Sequence, residues 1–410
     1  MPSFSIPLSG LEADSTALNT IANNLSNMNT TAYKAQTVNF SDLFYQQIGA
    51  SGSGDPEQVG AGTHVGSIST DFTTGSPNTT GNSTNVALNG DGFFAVQQNG
   101  ETELTRDGTF SLDLNGNLQT QSGQQVMGYA ATNGVVNTNA PLSGIQVPVG
   151  QVEKPQATAN MSITANLDAT AAAGTTVPAQ VKVYDSLGVA HEATVTFTKP
   201  AAPANTWNYS IALPAGDATP GANTTGTLTF DTTGKLIAPA SNPAATTFTG
   251  LSDGASNMSF AFDLYGSNNQ PSITQVAGAS AVASTNQDGF TSGQYQSVSI
   301  GSDGTISAKF SNNHTQVVGQ LAVAMVTNEQ GLDKLGDGNY AATLVSGDAS
   351  YGVAGTAGRG SMQGGALEAS NVDISTQFSD LIVAQRAFEA NSKAVTTFDT
   401  VSQDTINMVH

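Results

Sequence analysis

Cysteine is absent from the 410-residue chain. That excludes disulfides, thiolate zinc sites, iron–sulfur clusters and a cysteine nucleophile. Charge is scarce: Asp, Glu, Lys and Arg make up 10% of residues, against about 25% in ordinary soluble domains. Basic residues are the scarcest, with 11 Lys+Arg against 31 Asp+Glu and a net charge of −20. Such a chain repels phosphate backbones, so nucleic acid is excluded as a partner. No apolar run approaches the ~18 residues that span a bilayer, so no membrane insertion is expected. No basic residue precedes Lys34, so the charged region of a cleaved secretory signal is missing and any export takes another route.

Catalytic and cofactor signatures are equally thin. The four histidines, His64, His191, His314 and His410, lie far apart in sequence without ligand partners at metal spacing, and read as scattered surface residues. No dinucleotide or phosphate-binding glycine loop occurs among the 44 glycines. The run Gly250-Leu-Ser252-Asp-Gly254 matches a nucleophile elbow in letters only. It is followed by Met258 to Leu264, which alternates like a strand, where an elbow needs a helix. Most carboxylates accompany turn glycines, as in Asp107-Gly108 and Asp303-Gly304, where aspartate bonds the local backbone. No enzyme, cofactor or metal site is expected.

What is present is patterned. Hydrophobic residues make up 38% of the chain, which argues against disorder. Ser9 to Met28 reads as a helix, with Leu11, Leu18 and Leu25 seven apart and Ile21 and Met28 three beyond the last two. Ser9 and Glu12 form a capping box at its expected start. The C-terminal region repeats the design: Ile374, Leu381, Phe388 and Val395 are seven apart, and Ala384, Asn391 and Phe398 follow at +3. No Gly or Pro occurs after Val372, and Asp373 is a suitable N-cap. A helix over Ile374 to Ile406 is predicted.

Between these ends the chain is glycine-rich and β-like. Phe110, Leu112 and Leu114 alternate onto one face, and Asn115-Gly116 supplies hairpin turn chemistry before Leu118. Val181–Tyr184, Ala193–Phe197, Trp207–Ile211 and Thr227–Phe230 are short strands at sandwich-like spacing. Gly49 to Gly62, Ala277 to Asn286 and Gly352 to Gly365 read as linkers. At roughly 150 residues per domain the length suggests two to four domains. The simplest architecture is nested: terminal helices, a β domain in two segments, and a middle β domain inserted into it. Two amphipathic helices packed only on each other leave apolar surface wet. They are expected to pair with each other and with copies from other chains, and a head-to-tail contact that does not close yields a filament.

Specific blocks carry a family resemblance. Ser9-Gly-Leu11, Ala22 to Thr30 and Tyr33-Lys34 resemble the N-terminal signature of the bacterial flagellar rod, hook and hook-associated axial proteins. Ala87 to Phe94, then Thr105 to Phe110, resemble their shared β domain, and Gly365 to Asp373 with Gln385 to Lys393 resemble the closing signature. The family usually has Gly before the aromatic–Lys pair. Here Ala32 stands there, so the chain either turns more tightly or continues the helix. Val183 to Gly188, Gly226 to Asp231, Ser302 to Asn312 and Asn328 to Leu332 resemble the hook members. Rod members are usually shorter and lack the insertion.

The resemblance implies an α+β, mainly β chain whose terminal α-helices form an antiparallel coiled-coil pair beside two nested β-rich domains. The expected division is a helical polymerisation domain (1–34 and 371–410), connecting segments (35–75 and 352–370), an inner β domain (76–148 and 287–351) and an inserted outer β-sandwich-like domain (149–286). It implies a structural subunit that polymerises outside the cell into a curved tube joining rod to filament. Implied partners are further copies, the distal rod protein, the hook cap protein, the hook–filament junction proteins and the flagellar type III export apparatus. The expected self-assembly interface is Leu11, Leu18, Ile21, Leu25, Met28, Ile374, Leu381, Phe388, Asn391, Val395 and Phe398. The competing readings are a distal-rod-type axial protein and a secreted β-rich enzyme or adhesin acting on carbohydrate.

Overall fold

The computed structural model describes residues 4–44, 46–50, 56–266 and 268–408. The expectations for His410 and for part of the Gly49–Gly62 stretch therefore lie outside the described residues. Helix α1 spans Ser5–Ser26 and helix α2 spans Ile374–Met408. The Asp373 carboxylate accepts the Thr376 amide at 2.8 Å, as an N-cap should, and these local hydrogen bonds hold its pKa below the usual carboxylate range. The capping box expected at Ser9 does not form. The helix starts one turn earlier, and Ser9 Oγ donates to the Ile6 carbonyl at 2.8 Å. A serine inside a helix bonds back to the preceding turn because its amides already have partners.

The chain folds as two compact units. The first comprises Met1–Val149, Ser297–Ala308 and Gln316–His410; the second comprises Gly150–Gln296 and Lys309–Thr315. The second unit is a sandwich. One sheet runs Thr176–Tyr184, Ala190–Thr198, Thr206–Ala212, Thr225–Phe230, Leu236–Ala238, all antiparallel neighbours. These strands contain all four segments read from the sequence. In the other sheet Asn160–Asn166 lies parallel to Met258–Asp263. Alternation along the strands sends Val181, Val183, Val195, Phe197, Trp207, Phe260 and Phe262 into one core. Ala277 to Asn286 is not a linker: Ala281–Gln287 is a strand antiparallel to Asn160–Asn166. Its mostly exposed side chains explain its small, polar composition.

In the first unit, strands Thr315–Leu321, Gln125–Thr132, Phe93–Gln98, Glu101–Thr105, Asn339–Ala341 and Asp333–Gly336 are successive neighbours. Phe72, Phe93 and Tyr340 meet with ring centroids 5.6 to 5.8 Å apart, and burial pushes the Tyr340 phenol up to about 12. The hairpin at Asn115-Gly116 forms with different geometry. Only Gly116 has a positive φ, and Leu114, expected on the inward face with Phe110, stands fully exposed in the turn. Asp113 organises that turn by accepting the Asn115 and Asn117 amides, so the reversal uses five residues rather than a two-residue primed turn. The Gly/Ser-rich stretch Gly49 to Gly62, read as a linker, itself contains strand: Pro56–Val59 within it pairs antiparallel with Gln46–Ala50.

The stretch that leads away from α1 is pinned by buried polar groups. Lys34 Nζ lies 2.6 Å from Glu368 Oε1 and donates to the Thr73 carbonyl at 2.7 Å. Glu368 Oε1 also accepts the Gly75 amide at 2.8 Å, and its Oε2 lies 3.6 Å from Arg106 Nε. Arg106 is itself held by the Gly90 carbonyl and the Phe93 ring. All three side chains are almost completely buried. Burial, then the neighbouring Arg106, push the Lys34 pKa down against the pull of Glu368. Gly75 fits because a Cβ there would collide with the Ala369 carbonyl oxygen. Ala32 does not continue the helix. It adopts φ +55°, a left-handed conformation, and its amide donates to the Glu368 carbonyl at 2.9 Å.

Two outcomes follow for urea denaturation monitored on the first unit. Glu368→Gln keeps the shape but strands two buried cations, and should cost about 3–5 kcal/mol. Ala32→Gly removes the left-handed strain and should stabilise by about 1 kcal/mol; a destabilising Gly would show that the turn is not strained.

Candidate assembly surface

Helices α1 and α2 pair antiparallel, and the contacts share one register. Asn24 Nδ2 donates to Gln377 Oε1 at 3.0 Å. A Cβ on Gly10 would come within 2.7 Å of Asn391 Nδ2, and Asn391 Nδ2 donates to Asp14 Oδ2 at 2.8 Å. Phe4 meets Phe398 edge-on with centroids 6.2 Å apart. Ala17 and Ala384 line a cavity of about 390 Å³ together with Asp14, Ile21 and Gln377. The seam is therefore a heptad of small and polar residues: Gly10, Ala17 and Asn24 on α1 against Gln377, Ala384, Asn391 and Phe398 on α2. Gly10 lowers helix propensity but admits the Asn391 amide at close range.

The expected interface residues divide around this seam. Asn391 and Phe398 lie in it. Leu11, Leu18, Ile21, Leu25, Leu381 and Val395 are half-buried, and Met28, Ile374 and Phe388 are exposed. On α1 the leucines sit one residue beyond the seam positions, about 100° around the helix. The residues that sequence reasoning missed form two groups. One is exposed and apolar: Phe378 and Ile382, 48% and 59% exposed, continue from the expected Ile374, itself 46% exposed, at spacings of four along α2. Phe40 and Ile68, on the strand pair Gln36–Asp42 and Thr63–Thr70, are similarly open. The spacing of four at Ile374, Phe378 and Ile382 is present in the sequence beside the seven-residue repeat, which runs along a neighbouring row.

The other group is polar. Asn24 is buried and fully engaged: its Oδ1 accepts the Gln36 amide at 3.0 Å and the Tyr33 hydroxyl at 3.1 Å, and its Nδ2 donates to the Gln36 carbonyl as well as to Gln377. Asn371 does the same at the base of α2. Its Oδ1 accepts the Ala35 amide at 2.8 Å, and its Nδ2 donates to the Asp71 carbonyl at 2.8 Å. A buried asparagine gives no hydrophobic signal, so neither clamp shows in periodicity. Ser9 Oγ accepts the Thr63 amide at 3.2 Å, which docks the strand pair on α1. The helix pair is thus held in a fixed direction by hydrogen bonds, while its outer apolar rows remain uncovered.

Among the described residues no helix is long and apolar enough to cross a membrane. The histidines are not all at the surface as expected: His191 is buried among Asp185, Asp217 and Asp253, because the fold brings together residues far apart in sequence. Ser252 does sit in a turn, and the strand Met258–Asp263 follows it.

Four family models match the chain. They describe a flagella basal body rod protein (6–34), the flagellar hook protein FlgE/F/G D1 domain (87–166), the flagellar basal body protein FlaE D2 domain (151–290) and the flagellar basal body rod FlgEFG protein C-terminal (363–408). The flagellar hook protein FlgE of Escherichia coli is 35% identical, over 99% of this chain and 99% of that one. The flagellar hook protein FlgE of Treponema pallidum is 30% identical, over 98% of each. The crystal structure of Helicobacter pylori flagellar hook protein FlgE2 shares the fold, with a TM-score of 0.52 at 15% identity, covering 70% of this chain and 98% of that one. Identity at this level along the whole length, with family models at both helices and in both units, means that the chain belongs to the flagellar hook protein FlgE family.

Proposed function

We propose that this chain is the structural subunit of a bacterial flagellar hook. It self-assembles into a curved, tubular, helical polymer that links the rod to the filament and transmits motor torque as a universal joint. The observation that carries this is the 35% identity to a hook protein over 99% of both chains. A distal-rod-type subunit is the weaker reading, because that match includes residues 151–290, where the D2 model falls. The role is structural, not catalytic.

The finer parts of the reading rest on chemistry. Leu11, Leu18, Ile21, Leu25, Met28, Ile374, Leu381, Phe388, Asn391, Val395 and Phe398 form the self-assembly interface, joined by Phe378 and Ile382. A row that is wet in one chain gains by burial against neighbouring helices, at roughly 25 cal/mol per Å² of apolar area. Asn391 sets the register through its hydrogen bond to Asp14 across the helix pair, as a specific polar contact at a seam position does, at some cost in stability. Residues 1–34 and 371–410 act as the polymerisation domain, 35–75 and 352–370 connect it, 76–148 with 287–351 form the inner β domain, and 149–286 forms the inserted outer domain. Support comes from the separate compactness of Gly150–Gln296. A surface of Ser, Thr, Asn and Gly suits small polar contacts that slide and re-form as the tube turns. The further partners are the distal rod, hook cap and hook–filament junction proteins and the type III export apparatus, through which the chain leaves the cell.

Negative-stain electron microscopy of the purified chain concentrated in high salt should show short curved tubes; straight shafts would favour the rod reading. Phe378→Asp and Leu381→Asp should abolish the tubes. Because Phe378 is an exposed position, its variant should leave the thermal transition of the monomer within about 2 °C of the parent. A drop beyond about 5 °C would mark the row as ordinary intramolecular packing.

A further inference from the structure

The second unit gathers charged side chains around one buried imidazole, His191. Asp185 ends the strand Thr176–Tyr184 and is completely buried. Its Oδ1 accepts the Leu187 and Val189 amides at 2.8 and 2.9 Å, which leaves Oδ2 facing His191 Nε2 at 3.1 Å. Asp253 is built alike: Oδ1 accepts the Ala255 amide at 3.0 Å, and Oδ2 lies 3.6 Å from the same Nε2. On the other side of the ring, Asp217 Oδ2 lies 3.2 Å from Nδ1. The Ser252 amide donates to the Asp217 carbonyl at 2.8 Å, so two of the loops carrying these carboxylates are tied together.

One imidazole cannot satisfy three carboxylates by hydrogen bonding. Nε2 bears at most one proton, and 3.6 Å is too long for a hydrogen bond. A doubly protonated ring donates to Asp217 and Asp185 and still leaves Asp253 Oδ2 at 3.6 Å without a hydrogen bond from it, whereas a neutral ring with Nδ1–H on Asp217 turns its Nε2 lone pair toward two carboxylate oxygens. The spacing of the three atoms supplies a solution. Tetrahedral zinc with bonds near 2.0–2.1 Å sets its ligand atoms about 3.3 Å apart. The two Nε2–Oδ2 separations, 3.1 and 3.6 Å, bracket that value, and all three ligand atoms lie within 4.8 Å of one another. Donation of the remote ring nitrogen to a carboxylate is the usual support of a ligating histidine. The Asp253 side chain is 22% exposed, which gives an entry path and room for a water ligand.

We propose that the second unit binds one zinc ion through His191 Nε2, Asp185 Oδ2 and Asp253 Oδ2, with solvent as the fourth ligand and Asp217 positioning the imidazole through Nδ1. The ion cross-links the loop that carries Asp185, the strand Ala190–Thr198 that carries His191 and the turn that carries Asp253. It neutralises a buried acidic group in a chain whose net charge is −20.

The test uses the full-length chain stripped with a chelator and titrated with zinc chloride by calorimetry, with thermal unfolding in parallel. One zinc per chain should bind, and the transition should rise by several degrees. Asp253→Asn, at a partly exposed position, should weaken binding at least about tenfold, and Asp217→Asn by about 10–100-fold. His191→Gln should abolish binding, which separates this site from weak zinc binding at His314 beside Glu153. Calcium and magnesium should bind far more weakly, because an imidazole ligand suits neither. Absence of stoichiometric binding, binding unchanged in Asp253→Asn and His191→Gln, or equal affinity for calcium would overturn the proposal. A nitrogen NMR spectrum showing His191 doubly protonated and indifferent to zinc would assign the pocket to a proton instead.

Discussion

The buried ion pair between Lys34 and Glu368 is the constraint on which the arrangement of the first unit depends. It joins a residue just after α1 to one just before α2, at 2.6 Å and out of contact with water. Isolated buried charges are costly, and a pair is tolerated when further hydrogen bonds support it. Thr73 and Gly75 supply hydrogen-bond partners, Arg106 faces Glu368 Oε2 only as a charge at 3.6 Å and leaves that oxygen without a hydrogen bond, and the Ala32 amide takes the Glu368 backbone carbonyl. The two ends of the chain are thereby brought to one place with one geometry. Hydrophobic contact alone, being non-directional, would not specify it.

From that point the helices run outward side by side. Asn371 and Asn24 carry the polar network from the ion pair to the seam, and the seam repeats every seven residues with small and polar side chains until Phe398 meets Phe4 at its far end. Gly10 and the alanines allow close approach, and Asn391 and Gln377 hydrogen-bond across. A seam of this kind sets direction and register but buries modest apolar area. The larger residues, Leu11, Leu18, Leu25, Leu381 and Phe388, are displaced to the flanks or the outside. A single chain therefore has an ordered helix pair with unused hydrophobic surface, which is the condition under which further copies add favourably.

The second unit is stabilised in a different way. Its alternating strands close a conventional apolar core around Trp207, Phe197 and Phe262. The loops at its ends are organised by aspartates that accept backbone amides, as at Asp168, Asp185 and Asp231. With few Lys or Arg side chains, surface solubility comes from hydroxyl and amide groups. The carboxylates instead serve local turns, and around His191 they converge on a single ring.

The sequence by itself determined the local elements: the two helices, the aspartate–glycine turns and the alternating strands from Val181 to Phe230. Each follows from interactions within a few residues, namely helical or strand periodicity, capping by Asp373 and turn chemistry. Local pattern was also enough to carry the family resemblance. Only the tertiary structure decided what depends on distant partners. The capping box at Ser9 lost to an earlier helix start, because Ser9 is needed opposite Thr63. Most of the Ala277–Asn286 stretch is strand, Ala281–Gln287, because an edge is open to it at Asn160–Asn166. The leucine heptads were legible, but which row faces the other helix was set by Asn24, Asn391 and Gly10, whose small or polar side chains leave no hydrophobic signature. His191 reads as a surface residue in the sequence because Asp217 and Asp253 lie 26 and 62 positions away, and no short-range pattern records that they meet.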